Sequence, residues 1–93
     1  MDNFNKNEKQ HNFNQIKGEL IEVIEKEKYG YVVLNVGHEN KRLICLNIKK
    51  QHFKDVVKDK KIGDKVTVKF YLRSVKGEKN WFTTANVLEI CIN

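Results

Sequence analysis

From residue 16 onward, apolar and polar positions alternate along the chain with a period of two, as in strands that bury one face. The first run, residues 16–26 (IKGELIEVIEK), is long and carries Gly18 early, where a bend or bulge is expected. After the turn EKEKYG, residues 31–36 put Val32, Leu34 and Val36 on one face and Tyr31, Val33 and Asn35 on the other. The cluster Gly37-His38-Glu39-Asn40 predicts a hairpin into residues 41–48, where Ile44, Leu46 and Ile48 alternate. Residues 49–61 change rhythm. Phe53, Val56 and Val57 sit at i, i+3 and i+4 among charges, which predicts a short amphipathic helix ended by Ile62-Gly63-Asp64. Residues 65–75 alternate again, with Val66, Val68, Phe70 and Leu72 expected in the core and Thr67, Lys69, Tyr71 and Arg73 opposite. Residues 76–80 read as a hairpin loop, and residues 81–92 as the returning strand.

The predicted order is β-β-β-α-β-β. Five strands with one helix between the third and fourth is the connectivity of the OB-fold, a five-stranded Greek-key barrel, so the expected class is all-β with one short helix. The long first strand can serve both halves of such a barrel, and the helix can plug its bottom. An SH3-like barrel lacks that helix, and a β-grasp or ferredoxin-like sheet needs helices elsewhere. Residues 1–15 hold only Met1, Phe4 and Phe13 as sizeable apolar groups and are expected to form a disordered N-terminal tail, leaving residues 16–93 as the domain. At 93 residues the chain has room for one domain only.

Composition narrows the function classes. The chain has 18 Lys+Arg against 12 Asp+Glu, a net charge of +6, and no proline. No apolar run reaches membrane-spanning length, and no secretory leader pattern is present, so a cytoplasmic protein without membrane attachment is expected. Cys45 and Cys91 lie in apolar runs and are expected to pack in the core as free thiols. The charge is unevenly placed: residues 41–61 hold eight bases and two acids, and residues 62–80 five bases and two acids. The remaining segments are neutral or slightly acidic. The lysines of the helix interleave with Asp55 and Asp59 and read as a solvated face.

The fourth strand carries a different pattern. Lys69, Tyr71 and Arg73 share the face opposite the core stripe, and cations interleaved with aromatics on a sheet suit single-stranded nucleic acid. Rings stack on bases there while the cations follow phosphates. The loop that follows adds Lys76, Lys79, Trp81 and Phe82, and one of the two rings is expected to point inward because adjacent strand residues face opposite sides. Tyr31, near the turn between the first two strands, and Lys41, at the start of the third, complete the candidate set. No catalytic or metal constellation is present: His11, His38 and His52 lack ligand-spaced partners, and no phosphate-cradling glycine loop occurs. A non-enzymatic protein without metal or cofactor is expected.

The run KIGDKVTVKFYLRS, a short basic loop and WFTTANVLEI resemble the last two strands of bacterial and phage single-stranded DNA-binding (SSB-like) OB-fold proteins. The start IKGELIEVIE is similar to their first strand. The resemblance implies binding of single-stranded DNA without sequence specificity, coating strands in replication, recombination or repair, and self-assembly into dimers or tetramers. The acidic, aromatic-tipped extension that recruits replication partners in that family does not follow Ile92, so strand binding without such recruitment is expected. Two alternatives stand beside this reading: a protein-interaction or assembly module whose lysines serve solubility, and a binder of single-stranded RNA.

Overall fold

The computed structural model describes residues 13–93. The strand β1 (Asn14–Glu25) has twelve residues, about 40 Å at ~3.3 Å per residue, long enough to serve two neighbours. Its first half pairs antiparallel with β4 (Lys65–Lys76), from Asn14↔Phe70 to Glu19↔Lys65. Its second half pairs antiparallel with β2 (Tyr29–Asn35), from Glu19↔Asn35 to Glu25↔Gly30. β2 continues antiparallel into β3 (Leu43–Lys49), and β4 into β5 (Trp81–Ile92). A parallel contact at Asn47↔Asn86 joins β3 to β5 and closes the barrel in the order β1-β2-β3-β5-β4. The element order is the expected one, with α1 (Lys50–Val57) between β3 and β4.

Alternation delivers the core. Leu20, Val32, Leu34, Leu46, Ile48, Val66, Val68, Val87 and Ile90 point into the barrel and are buried. Phe53 of α1 seals the base. It lies so close over Gly30 that a Cβ there would fall 2.1 Å from its ring, so only glycine lets the helix seat. No helix among the described residues is long and apolar enough to cross a membrane.

Several local features differ from the alternation rules. The bulge in β1 lies not at Gly18 but between Leu20 and Glu22, where the strand passes from one partner to the other. At that changeover the Leu20 N–H donates to the Asp64 carbonyl (2.9 Å), and the Gly63 N–H donates to the Leu20 carbonyl (2.7 Å). Gly18 instead admits the Asn35 carbonyl, which would lie 2.8 Å from an added Cβ. The helix stops at Val57 rather than continuing to residue 61. Lys58 is extended (ψ 129°) and Asp59 left-handed (φ 63°), a turn in which the Lys60 N–H donates to the Val57 carbonyl at 3.0 Å. Both cysteines are exposed and free, contrary to the expected core placement. Leu46 and Ile90 are the buried neighbours, so Cys45 and Cys91 face outward by the same period of two. The expected N-terminal tail lies, for residues 1–12, outside the described residues, while Asn14 and Gln15 already pair with Phe70 and Lys69.

Candidate nucleic-acid interface

The outer surface of the barrel is organised by the pairing registers. Ile24 sits opposite Tyr31, Tyr31 opposite Asn47, Asn47 beside Asn86, and Asn86 opposite Tyr71. These residues form one lateral row. Tyr31 and Tyr71 lie at the two ends of its β2–β3–β5–β4 portion, three strand spacings or roughly 14 Å apart along the sheet. One step toward the first turn, Tyr29 pairs with Lys49, and the Tyr29 and Tyr31 rings stand 6.5 Å apart at 32°.

On the other side of the row, β4 and β5 outrun the barrel. Asn14↔Phe70 is the last pair between β1 and β4 among the described residues, and beyond the Tyr71↔Asn86 pair the described strands β4 and β5 pair with each other alone, as an arm. This accounts for two departures from expectation. Leu72, in phase with the core stripe, is 59% exposed, since among the described residues β4 has passed its last pair with β1 at Phe70. Trp81 and Phe82 are 64% and 59% exposed, so neither ring is buried. They do take opposite faces. Trp81 pairs with Lys76 on the side of Leu72, Ser74, Thr83 and Ala85, while Phe82 pairs with Val75 on the side of Tyr71, Arg73, Thr84 and Asn86. Side-chain bonds respect the division: the Ser74 and Thr83 hydroxyls are 2.8 Å apart, and the Asn86 Nδ2 donates to the Thr84 hydroxyl at 3.2 Å. Lys76 lies over the Trp81 ring, 5.9 Å from its centroid.

The sequence-predicted residues therefore divide into groups. Tyr71, Arg73 and Phe82 share the outer face of the arm, and Tyr31 joins them through the Asn47–Asn86 seam. Lys76 and Trp81 occupy the arm's other face, and Lys79 lies in the loop at its tip. Lys41 is exposed in the loop before β3. Because β3 runs parallel to β5, that loop enters at the end of the barrel from which the arm projects. Lys69 is engaged elsewhere: its ammonium lies 3.5 Å from the Glu89 carboxylate and 5.5 Å from the centroid of the Phe13 ring.

Electrostatics give the surface two sides. The acids Glu19, Glu22 and Glu25 belong to β1, one edge of the row. Glu25 accepts from Lys50 at 2.8 Å, and that bond holds its carboxyl below the usual range, while the same ammonium donates to the Lys26 carbonyl. Partial burial, with the Glu22 charge nearby, pushes the Cys45 thiol up. Nothing in the sequence singles out Asn47, Asn86 or Lys28, and its helical rhythm puts Lys49 on the solvated face of the helix, whereas the structure places it at the end of β3. The hairpin register Tyr31↔Asn47 was within reach of the sequence, but the parallel seam that brings Asn86 alongside carries no local signal. Among the described residues no group of three or more His, Cys, Asp or Glu side chains is placed to hold a metal ion.

No family model matches the sequence, and no curated protein matches it. Solved structures do. An OBody, NL8, in its complex with hen egg-white lysozyme superposes with a TM-score of 0.65 at 15% identity, over 87% of this chain and 93% of the OBody. The dimeric N-terminal domain of PriB from Thermoanaerobacter tencongensis gives 0.59 at 20% identity, over 89% of this chain and 97% of that domain. The fold is an OB-fold. At these identities the likeness speaks for architecture, and the residues of the outer row are this chain's own.

Proposed function

We propose that this chain binds single-stranded DNA across the outer face of β2, β3, β5 and β4, largely independently of sequence, and coats exposed strands in replication, recombination or repair. The observation that carries the reading is the single row running from Tyr31 to Tyr71, continued by Arg73 and Phe82 on the arm. In OB-folds the face of strands 2 and 3, with the loops 1–2 and 4–5, is the oligonucleotide surface. Here the first of those loops supplies Lys28 at one end and the second Lys79 at the other, while Lys76 and Trp81 flank the second loop on the arm's other face. The role is one of binding rather than catalysis, in the cytoplasm.

Self-association fits the opposite face of the arm. The PriB domain is dimeric, and the Leu72 and Trp81 side of the arm leaves apolar area open to a second copy. A second reading, binding of a protein partner without nucleic acid, draws on that apolar area and on the OBody's complex with lysozyme.

Titration of Trp81 fluorescence with oligo(dT) at low and high salt tests the proposal. Quenching at micromolar protein that weakens steeply with salt is expected. No quenching at low salt would favour the protein-partner reading. The double variant Tyr71→Ala, Phe82→Ala, confined to the outer face, followed by anisotropy of a labelled strand, should lose strand binding while fold and oligomeric state persist. Competition with RNA and duplex DNA ranks the alternative ligands.

A further inference from the structure

A groove of about 430 Å³ opens between the first turn, the end of β3, the start of α1 and β5. That volume lies within the ~300–1,000 Å³ of sites that take a small molecule. Its walls include Lys28, Tyr29, Asn47, Lys49, Gln51 and Asn86. The groove shares Asn47 and Asn86 with the aromatic row and adds Lys28, Tyr29, Lys49 and Gln51 on one side of it.

The groups around it are unequally committed. Lys50, also at its edge, is held by Glu25 and the Lys26 carbonyl. Asn86 Nδ2 is directed to Thr84, which leaves its Oδ1 free as an acceptor. Gln51 Nε2 lies 3.5 Å from His52. Among the described residues, the Asn47 amide and the ammonium groups of Lys28 and Lys49 have no hydrogen-bonding partner. Tyr29 stands at the rim, 46% exposed, with Tyr31 covering part of one side. One aromatic ring, one uncommitted amide, a second amide oxygen and two free cations are thus gathered around a space of nucleotide scale.

We infer that this groove reads one base of the bound strand and prefers adenine. The inference rests on the strand-binding reading above and assigns a specificity within it. An asparagine amide offers a donor and an acceptor side by side, and adenine answers with its N6 amino group and N7. At the same edge thymine presents O4 and a methyl group, guanine presents two acceptors, and neither has a hydrogen for the amide oxygen. Asn86 Oδ1 adds an acceptor for the second N6 hydrogen. Tyr29 stacks on the base, while Lys28 and Lys49 hold the flanking phosphates without regard to sequence. The rest of the path has rings and cations and stays sequence-tolerant, so selectivity is confined to one nucleotide.

The test walks a single adenine through each position of a labelled dT hexamer, with anisotropy read at fixed salt. The best position is expected to bind about fivefold or more tighter than the all-dT strand, the low end of what one bidentate contact supplies. Asn47→Ala should bring the ratio close to one. Asn47→Asp keeps an acceptor for the cytosine N4 amino group and should move the preference from adenine to cytosine, a change that damaged folding would not produce. Circular dichroism confirms that both variants are folded. Free AMP, at the concentration at which the adenine-bearing strand saturates, should not displace it; displacement would make the groove a mononucleotide site and overturn the assignment to a strand. Equal affinity at every position, or a preference that survives Asn47→Ala, would overturn the base reading and leave the interface standing. If no oligonucleotide binds at all, the interface itself fails and the base reading with it.

Discussion

Stacking and phosphate attraction respond differently to salt, so the outer face can be divided by single substitutions. Releasing counterions gives log K a slope against log salt of about −0.7 per phosphate contact on a single strand. Arg73 projects from the arm with no acidic partner among the described residues. Arg73→Ala should therefore make the slope shallower by about 0.7, and cost roughly 2- to 3-fold more affinity at 50 mM than at 200 mM salt. Tyr71→Ala removes a ring worth about 1–3 kcal/mol, a roughly 5- to 150-fold loss, and should leave the slope unchanged. Lys69 supplies a case of opposite sign, since Glu89 holds its ammonium at 3.5 Å. Glu89→Gln frees that cation for a phosphate, so affinity should rise and the slope steepen by up to about 0.7. Anisotropy with dT oligomers across a salt series measures all three. The reasoning is refuted if Tyr71→Ala changes the slope without changing affinity, or if Glu89→Gln weakens binding.

Three further outcomes follow from the barrel itself. Gly30→Ala sets a Cβ 2.1 Å from the Phe53 ring and 3.0 Å from the Ile24 carbonyl, which should unseat α1 and cost about 1–3 kcal/mol in a thermal or urea melt; an unchanged midpoint would mean that the helix does not seal the base. Leu72→Ser should change stability by less than about 0.5 kcal/mol, because the side chain is already exposed, whereas Leu46→Ala in the core should cost about 2–5 kcal/mol. Equal costs would place Leu72 in a packed environment. Since the Cys45 thiol is pushed up by partial burial and by Glu22, less of it is thiolate at pH 8 than in the unfolded chain. A disulfide reagent should then label Cys45 in a Cys91→Ser background more slowly folded than in urea, and Glu22→Gln should raise the folded rate.

Much of the fold was legible because burial follows residue parity. Val32 and Leu34, Leu46 and Ile48, Val66 and Val68 all face inward as alternation demands, and Phe53 sits where helical spacing sends it. The departures have a common cause: each depends on which strand lies alongside. Leu72 continues the stripe of Val66 and Val68, yet its β4 segment has run past the start of β1, so parity holds while burial ends. The cysteines sit in apolar runs, yet the parity that Leu46 and Ile90 impose turns both of them outward. Helix length escaped because the chain leaves the helix at Lys58 and turns left-handed at Asp59, with neither a glycine nor a proline to mark the end.

The proposed interface was legible one strand at a time but not as a surface. Alternation places Tyr71 with Arg73, and the short polar turn places Tyr31 opposite Asn47, but these two pairs belong to hairpins far apart in sequence. One parallel contact, Asn47 beside Asn86, turns them into a single row. Asparagine is an uninformative residue in a strand, since it signals neither core nor charge. At this seam it is the point where an aromatic hairpin from each half of the chain meets, and its amide is polar without being charged. Rings and cations bind every base alike, whereas an amide distinguishes donors from acceptors. Any selectivity of the proposed strand path must therefore come from residues that composition and charge do not mark.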